Sequence, residues 1–191
     1  MEDQAGYLIV LAQLRDRERF LSYVKALPPL YQQFGGSYLA VAGPAQVGRF
    51  GKISTPWSVV VSKWKDVASI ESFWQSAEYQ SAKHLRDGTG DFHVVALDGE
   101  AIDGSFEAIA LSLEPGEPMS SAASEDFHSA EGLMVLAAAG PSEGIVLEGQ
   151  RQAPGLGLDA ARTRAEAEAA VRAIKAEAEI GVLLLPKLVP R

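Results

Sequence analysis

The chain has 191 residues, 47% of them hydrophobic and 22% charged, a balance that suits a packed globular protein rather than low-complexity disorder. It contains no cysteine, which removes disulfides, thiolate metal sites and cysteine nucleophiles. Its net charge of −8, with no basic patch interleaved with aromatics, argues against a nucleic-acid partner.

Tyr7 to Leu14 is an apolar run of strand length, and Asp16 is placed to cap a helix with Phe20, Leu21, Val24 and Leu27 on one face. Pro28-Pro29 should kink or break that helix, because proline lacks the amide donor and clashes with the preceding turn. Leu30, Tyr31 and Phe34 extend the apolar face to a stop at Gly35-Gly36. Tyr38 to Ala42 reads as the second strand, Gly43 to Pro56 as a loop and Trp57 to Trp64 as the third strand. Asp66 caps a helix carrying Val67, Ile70, Phe73 and Trp74 on one side. Ser76 opens a further short helical turn, and Phe92 to Leu97 is a last strand before Asp98-Gly99.

In the second half Phe106 to Leu113 is a strand, and a weakly patterned segment from Met119 to Ala130 stands where the first long helix should be. Strands are expected at Leu133–Ala139 and Ile145–Glu148. Asp159 is expected to cap an alanine-rich helix with Val171 and Ile174 on its thin apolar side. Arg164, Glu168 and Arg172 along it stand at the i,i+4 spacing of ion pairs. Ile180 to Leu185 closes the series.

The two series match. Tyr38-Leu39-Ala40-Val41-Ala42-Gly43-Pro44 returns as Val135-Leu136-Ala137-Ala138-Ala139-Gly140-Pro141, each with an apolar strand before it and strand, helix and strand after it. The predicted class is α+β: tandem ferredoxin-like β-α-β-β-α-β repeats, residues 1–103 and a degenerate copy at 104–191, packed sheet to sheet. Mutual packing would help two units of just under 100 residues, since a small domain buries only about 60–70% of its unfolded surface. The start, Met1-Glu2-Asp3-Gln4, lacks the basic charge of a signal peptide, and no apolar run approaches the roughly 20 residues that span a bilayer. A cytoplasmic protein without a membrane partner is the expectation.

Three stretches of the first half carry a family resemblance: Gly35-Gly36-Ser37-Tyr38-Leu39-Ala40 running on to Gly43, the helix from Asp66 to Trp74, and Ser76-Ala77-Glu78-Tyr79-Gln80 followed by Leu85-Arg86 and a strand ending in Asp98-Gly99. In this order and spacing the first half resembles the domain-of-unknown-function family 1330, a branch of the dimeric α/β-barrel superfamily. The resemblance implies two sheets facing each other, usually from two subunits, and a small-molecule pocket between a sheet and its own helices. No single chemistry follows, since the superfamily includes cofactor-free monooxygenases, dehydratases, isomerases and haem-binding proteins. Two departures matter. Val41 stands where many members have an arginine, which removes an anchor for an anionic ligand. The second half lacks the Ser-x-Glu-Tyr-Gln element, so one site per chain is expected.

Of the 15 aromatic residues, 13 lie in the first half, including every Trp and Tyr; such rings line pockets and also build cores. Tyr79 and His93 are the candidates for acid–base work, with Glu78, Arg86, Trp57, Trp74 and Tyr38 as ligand-binding candidates. Each has a plainer explanation. Ser76 and Glu78 suit a helix start, Tyr79 and His93 suit a core, and Arg86 suits an ion pair with Glu78 or Asp87. His84 suits a solvated position, and His128 falls in the degenerate region. The histidines do not stand at ligand spacing with carboxylates, so no metal is expected. No phosphate loop or nucleophile elbow appears, and no cofactor is expected.

Two functions stand open: a cofactor-independent enzyme acting on a small apolar or aromatic metabolite, and a non-catalytic ligand-binding or assembly module. Two assemblies stand open as well. The halves can form the barrel internally, as an intramolecular pseudo-dimer, or the first halves of two chains can pair as a homodimer.

Overall fold

In the computed structural model, residues 4–51, 53, 55–101, 106–113, 133–139, 145–148, 156–173 and 181–187 are described. They form ten strands, four α-helices and a 3₁₀ turn. The expected segment from Met119 to Ala130 lies outside them, as do His128 and Ile174.

The first half follows the reading closely. Strand β1 (Gln4–Leu14) leads to helix α1 (Arg17–Phe34), whose N-cap Asp16 accepts a hydrogen bond from the Arg19 amide at 3.0 Å. The helix runs unbroken through Pro28 and Pro29, contrary to the expected break. Neither proline can donate to the preceding turn, and burial of Tyr23 and Tyr31 on the inner face helps to keep this stretch helical despite the two missing bonds. Gly35 ends the helix in the left-handed region, with φ of 78°. Gly36 beside it must lack a side chain, because a Cβ there would lie 2.6 Å from the Trp64 ring.

Strand β2 (Ser37–Ala42) follows, then β3 (Gly48–Gly51), inside the stretch expected to be loop, and β4 (Ser58–Trp64). Helix α2 (Val67–Gln75) buries Val67, Ile70, Phe73 and Trp74, the four residues its periodicity marks. Helix α3 (Ala77–Lys83), capped by Ser76, passes into a 3₁₀ turn at His84–Arg86 and then β5 (Gly90–Glu100). The second half supplies β6 (Ala108–Leu113), β7 (Leu133–Ala139), β8 (Ile145–Glu148), β9 (Leu156–Ala161), helix α4 (Arg164–Ala173) and β10 (Gly181–Pro186).

Asp159 does not cap α4. It lies inside β9, fully buried, and the cap is Thr163, whose hydroxyl accepts from the Glu166 amide while the Glu166 carboxylate accepts from the Thr163 amide. This is a reciprocal capping box, and Thr-Arg-Ala-Glu is its sequence signature. Glu168 pairs with Arg164 at 3.0 Å and with Arg172 at 3.8 Å along the helix.

The strands form two antiparallel five-stranded sheets: β2-β4-β1-β5-β8, hereafter sheet A, and β3-β10-β6-β9-β7, hereafter sheet B. Each sheet takes its last strand from the other half of the chain. β8 pairs with β5, and β3 pairs with β10, so the short strands cross over and tie the sheets together. Sheets A and B face each other within one polypeptide. Tyr7, Ile9 and Leu11 of one meet Ile109, Leu111 and Leu158 of the other in a shared core.

The two edges opposite the crossover also correspond. β2 shifts register against β4 between Tyr38 and Ala40, and β7 shifts against β9 between Val135 and Ala137. These are the same positions in the sequence match, and the residue facing each shift is a buried polar one, Ser62 in sheet A and Asp159 in sheet B. No helix among the described residues is long and apolar enough to cross a membrane.

Candidate functional site

Strand alternation divides sheet A into two different surfaces. Odd-numbered residues of β1 and β5 face sheet B. Even-numbered ones, among them Leu8, Ala12, Phe92 and Val94, face α1, α2 and α3. Between that outer face and α1 lies a cavity of about 380 Å³. Its floor is Val10, Ala12, Val60 and Val94; its walls are Tyr31, stacked on Tyr38 at 4.2 Å, and Phe20, stacked on Phe92 at 5.8 Å. Leu21, Val24 and Val41, exposed by 52%, 41% and 43%, form an apolar rim. Exposed apolar side chains are ordinary singly but informative when grouped at one opening.

The inner end is polar. The hydroxyls of Tyr23, from α1, and Tyr79, from α3, lie 3.1 Å apart. Beside them is Arg86, only 3% exposed, its guanidinium 4.0 Å from the centre of the Phe92 ring. Glu148 grips Arg86 with both carboxylate oxygens, at 3.0 and 2.7 Å, and also receives Lys83 at 2.8 Å. Glu148 belongs to the crossover strand β8, so the second half of the chain fixes the cation of the first-half site. Arg86 is held from its own side too. Thr89 donates to the Arg86 carbonyl at 2.6 Å, and the Thr89 carbonyl accepts from the Arg15 and Asp16 amides where α1 begins.

Burial disfavours the charged forms and pushes the Tyr23 and Tyr79 hydroxyls above their ordinary pKa, outweighing the nearby Arg86. Tyr31 and Tyr38 are raised by burial as well. Burial works against the Arg86 charge, yet the Glu148 bonds and the phenol oxygens carry its pKa above the ordinary value. Burial likewise opposes ionisation of Glu148, but the bonds from Arg86 and Lys83 prevail and hold its carboxyl low. At neutral pH the inner end is therefore two neutral phenols beside an arginine that shares the Glu148 carboxylate with Lys83.

Of the residues the sequence marked, Tyr79, Arg86 and Tyr38 meet in this cavity. The others do not. His93 lies between Phe92 and Val94 and so faces the opposite surface of sheet A, where its ring meets Trp57 edge-on at 5.5 Å. Tyr79 and His93 therefore share no space, and the acid–base pairing expected of them does not form; Trp57 belongs to the side packed against sheet B. Trp74 is buried behind Tyr79, 4.8 Å between ring centres, outside the cavity lining. Glu78 is exposed on the first turn of α3. Arg86 pairs with neither Glu78 nor Asp87 but with Glu148; Asp87 instead meets the exposed His84 at 3.0 Å.

The sequence reading missed Tyr23, Glu148 and Arg17. Tyr23 stands eight residues, close to two helical turns, before Tyr31, a spacing that puts both on one face. Glu148 carried no usable signal, because the crossover of β8 is not legible in sequence. Arg17 lines the mouth, is exposed and makes no ion pair among the described residues; its guanidinium points toward Gly43, just beyond Val41. Among the described residues, no cluster of three or more histidine and carboxylate side chains is placed to hold a metal ion.

Two antiparallel sheets face to face, with helices on their outer surfaces, define the class: a ferredoxin-like dimeric α/β-barrel, here closed within one chain. The chain belongs to the family described as Domain of unknown function (DUF1330), whose pattern matches residues 5–100. Among solved structures it is similar over its whole length to an anthrone oxidase-like protein, with a TM-score of 0.50, 9% identity and coverage of 100% of this chain and 93% of that one. It is also similar to a protein of unknown function from Rhodopseudomonas palustris, with a TM-score of 0.43, 16% identity and coverage of 53% of this chain and 85% of that one. At such identities the likeness is one of fold. No curated protein matches the chain in sequence.

Proposed function

We propose that this chain binds a small, largely apolar or aromatic molecule between α1 and the outer face of sheet A. In this reading residues 1–103 form the ligand-bearing unit, and residues 104–191 are a degenerate repeat kept as its packing partner. The observation that carries the reading is the aromatic-walled cavity of about 380 Å³ with polar groups gathered at one end. Ligand sites commonly have this make-up, at volumes of roughly 300–1,000 Å³. The matched register shifts of β2 and β7 support the repeat, and the Arg86–Glu148 pair supports a dependence of the site on both halves.

Binding is favoured over chemistry because no carboxylate or imidazole is among the lining side chains of the described residues, and the raised phenols are not bases near neutral pH. One observation favours a second reading, a cofactor-independent enzyme. The Tyr23–Tyr79 pair beside Arg86 could stabilise negative charge developing on a substrate oxygen.

Native mass spectrometry of freshly purified protein, followed by small-molecule analysis after denaturation, tests the proposal. A stoichiometric apolar passenger in the wild type, absent from Ala12→Phe, is the expected result. A passenger retained unchanged in that cavity-filling variant would place the ligand elsewhere and sink the reading. The spectrum also counts chains: a single chain fits the internal pseudo-dimer.

A further inference from the structure

We infer that the molecule held under α1 carries an acceptor oxygen, a carbonyl or carboxylate, aimed at the hydroxyls of Tyr23 and Tyr79. The inference rests on the binding reading above and narrows it to a ligand class.

Its basis is a count of donors and acceptors. Each phenol has one proton. At 3.1 Å one hydroxyl donates to the other, and the proton left over has no acceptor among the described residues. Arg86 cannot take it, because a guanidinium only donates. The terminal nitrogens of Arg86 bond Glu148 and also lie against the Tyr23 and Tyr79 oxygens, where they can only donate; its Nε, though buried, has no hydrogen-bond partner. Glu148 accepts from Arg86 through both oxygens and from Lys83 through one of them, and nothing places it within hydrogen-bond distance of either phenol. Among the described residues, the inner end thus holds two donors with no partner, one phenol proton and the Arg86 Nε–H.

A buried donor left unpaired is unfavourable, and a ligand oxygen delivered into the cavity relieves it. Lys83, Arg86 and Glu148 together leave one positive charge unbalanced, which favours an oxygen bearing negative or partial negative charge. The raised phenol pKa values keep both hydroxyls protonated through the physiological range, so the donor character persists. A hydrocarbon of the same shape fills the apolar walls but leaves the donors unpaired, and sites of this kind discriminate on that ground.

The test uses equilibrium dialysis of the full chain against two probes that differ by the carbonyl oxygen, 2-acetylnaphthalene and 2-ethylnaphthalene, with 2-naphthoate as a third. The ketone should bind about tenfold or more tightly than the ethyl compound. In the double variant Tyr23→Phe/Tyr79→Phe that ratio should fall several-fold, while the ethyl compound binds about as before. Retention of ethyl binding shows that the variant is folded and the cavity intact. Equal binding of ketone and hydrocarbon to the wild type, or a ratio unmoved in the double variant, overturns the inference and leaves the binding reading standing. If none of the three probes binds, the binding reading falls and the inference falls with it. Tighter binding of the naphthoate than of the ketone would assign the oxygen as a carboxylate.

Discussion

The outer faces of the two sheets have the same strand order beneath them and opposite characters. Sheet A is covered by three helices whose inner surfaces are aromatic: Tyr23 and Tyr31 from α1, Phe73 and Trp74 from α2, Tyr79 from α3. Sheet B is covered, among the described residues, by α4, which buries Ala167 and Val171 against Ala108, Ala110 and Ala161. Small side chains let a helix settle close to its sheet. Large rings hold a helix off, and where they stand at the margins, as the Tyr31–Tyr38 and Phe20–Phe92 stacks do, the space between is left open. On sheet A, the comparison teaches, the open space follows from the rings that α1 and the sheet margins carry and not from the strand order, which sheet B shares.

If that contrast is sound, truncations on the two faces should differ in cost. Phe73 is fully buried against Tyr31, Trp64 and Tyr79, and Phe73→Ala should destabilise by about 3–5 kcal/mol in chemical denaturation. Val171→Ala on the other face should cost about 2 kcal/mol. Similar losses at the two sites would erase the distinction.

The contrast sharpens at the contact joining the halves. Glu148→Gln keeps the shape but leaves Arg86 buried without its anion, and should cost about 3 kcal/mol, somewhat reduced because Glu148 is a quarter exposed. Its carboxyl is held below the ordinary range when folded, so in that window the unfolded chain binds more protons. The stabilisation is complete above the unfolded carboxylate value of about 4.3 and is lost as pH falls through the lower folded value. Acid denaturation should accordingly show a shallower loss in Glu148→Gln than in the wild type. A parallel pair of acid profiles would mean that the ion pair adds nothing.

Smaller effects belong to the margins. Thr163→Ala removes the cap of α4 and should cost about 1 kcal/mol, with no change in probe binding, since α4 lies on the far sheet. Arg17→Ala should weaken 2-naphthoate by about two- to threefold and leave the neutral ketone unchanged, an effect that added salt removes. It would show whether Arg17 stands in for the arginine missing at Val41.

Much of this was legible in the sequence where the signal is local. Asp16, Asp66 and Ser76 cap the helices they precede, and the periodicity of Val67, Ile70, Phe73 and Trp74 marks a buried face. What is set by distant partners was not. Gly48–Gly51 reads as loop because four residues with glycine at both ends have no strand signature until β10 pairs with them. Asp159 looked like a cap because an acid before a helical pattern normally is one, yet the strand claims it. The site was half readable. Tyr79, Arg86 and Tyr38 converge, whereas His93 faces away from them, because one residue of strand register sends a side chain to the opposite face.

The most direct test of the central claim is the location of a bound probe. A crystal soaked with 6-bromo-2-acetylnaphthalene would report the bromine by anomalous scattering. The account predicts one site, in the cavity bounded by α1 and sheet A, with the acetyl oxygen within hydrogen-bonding distance of Tyr23 or Tyr79. A bromine peak between the sheets or beneath α4, with that cavity empty, would contradict it.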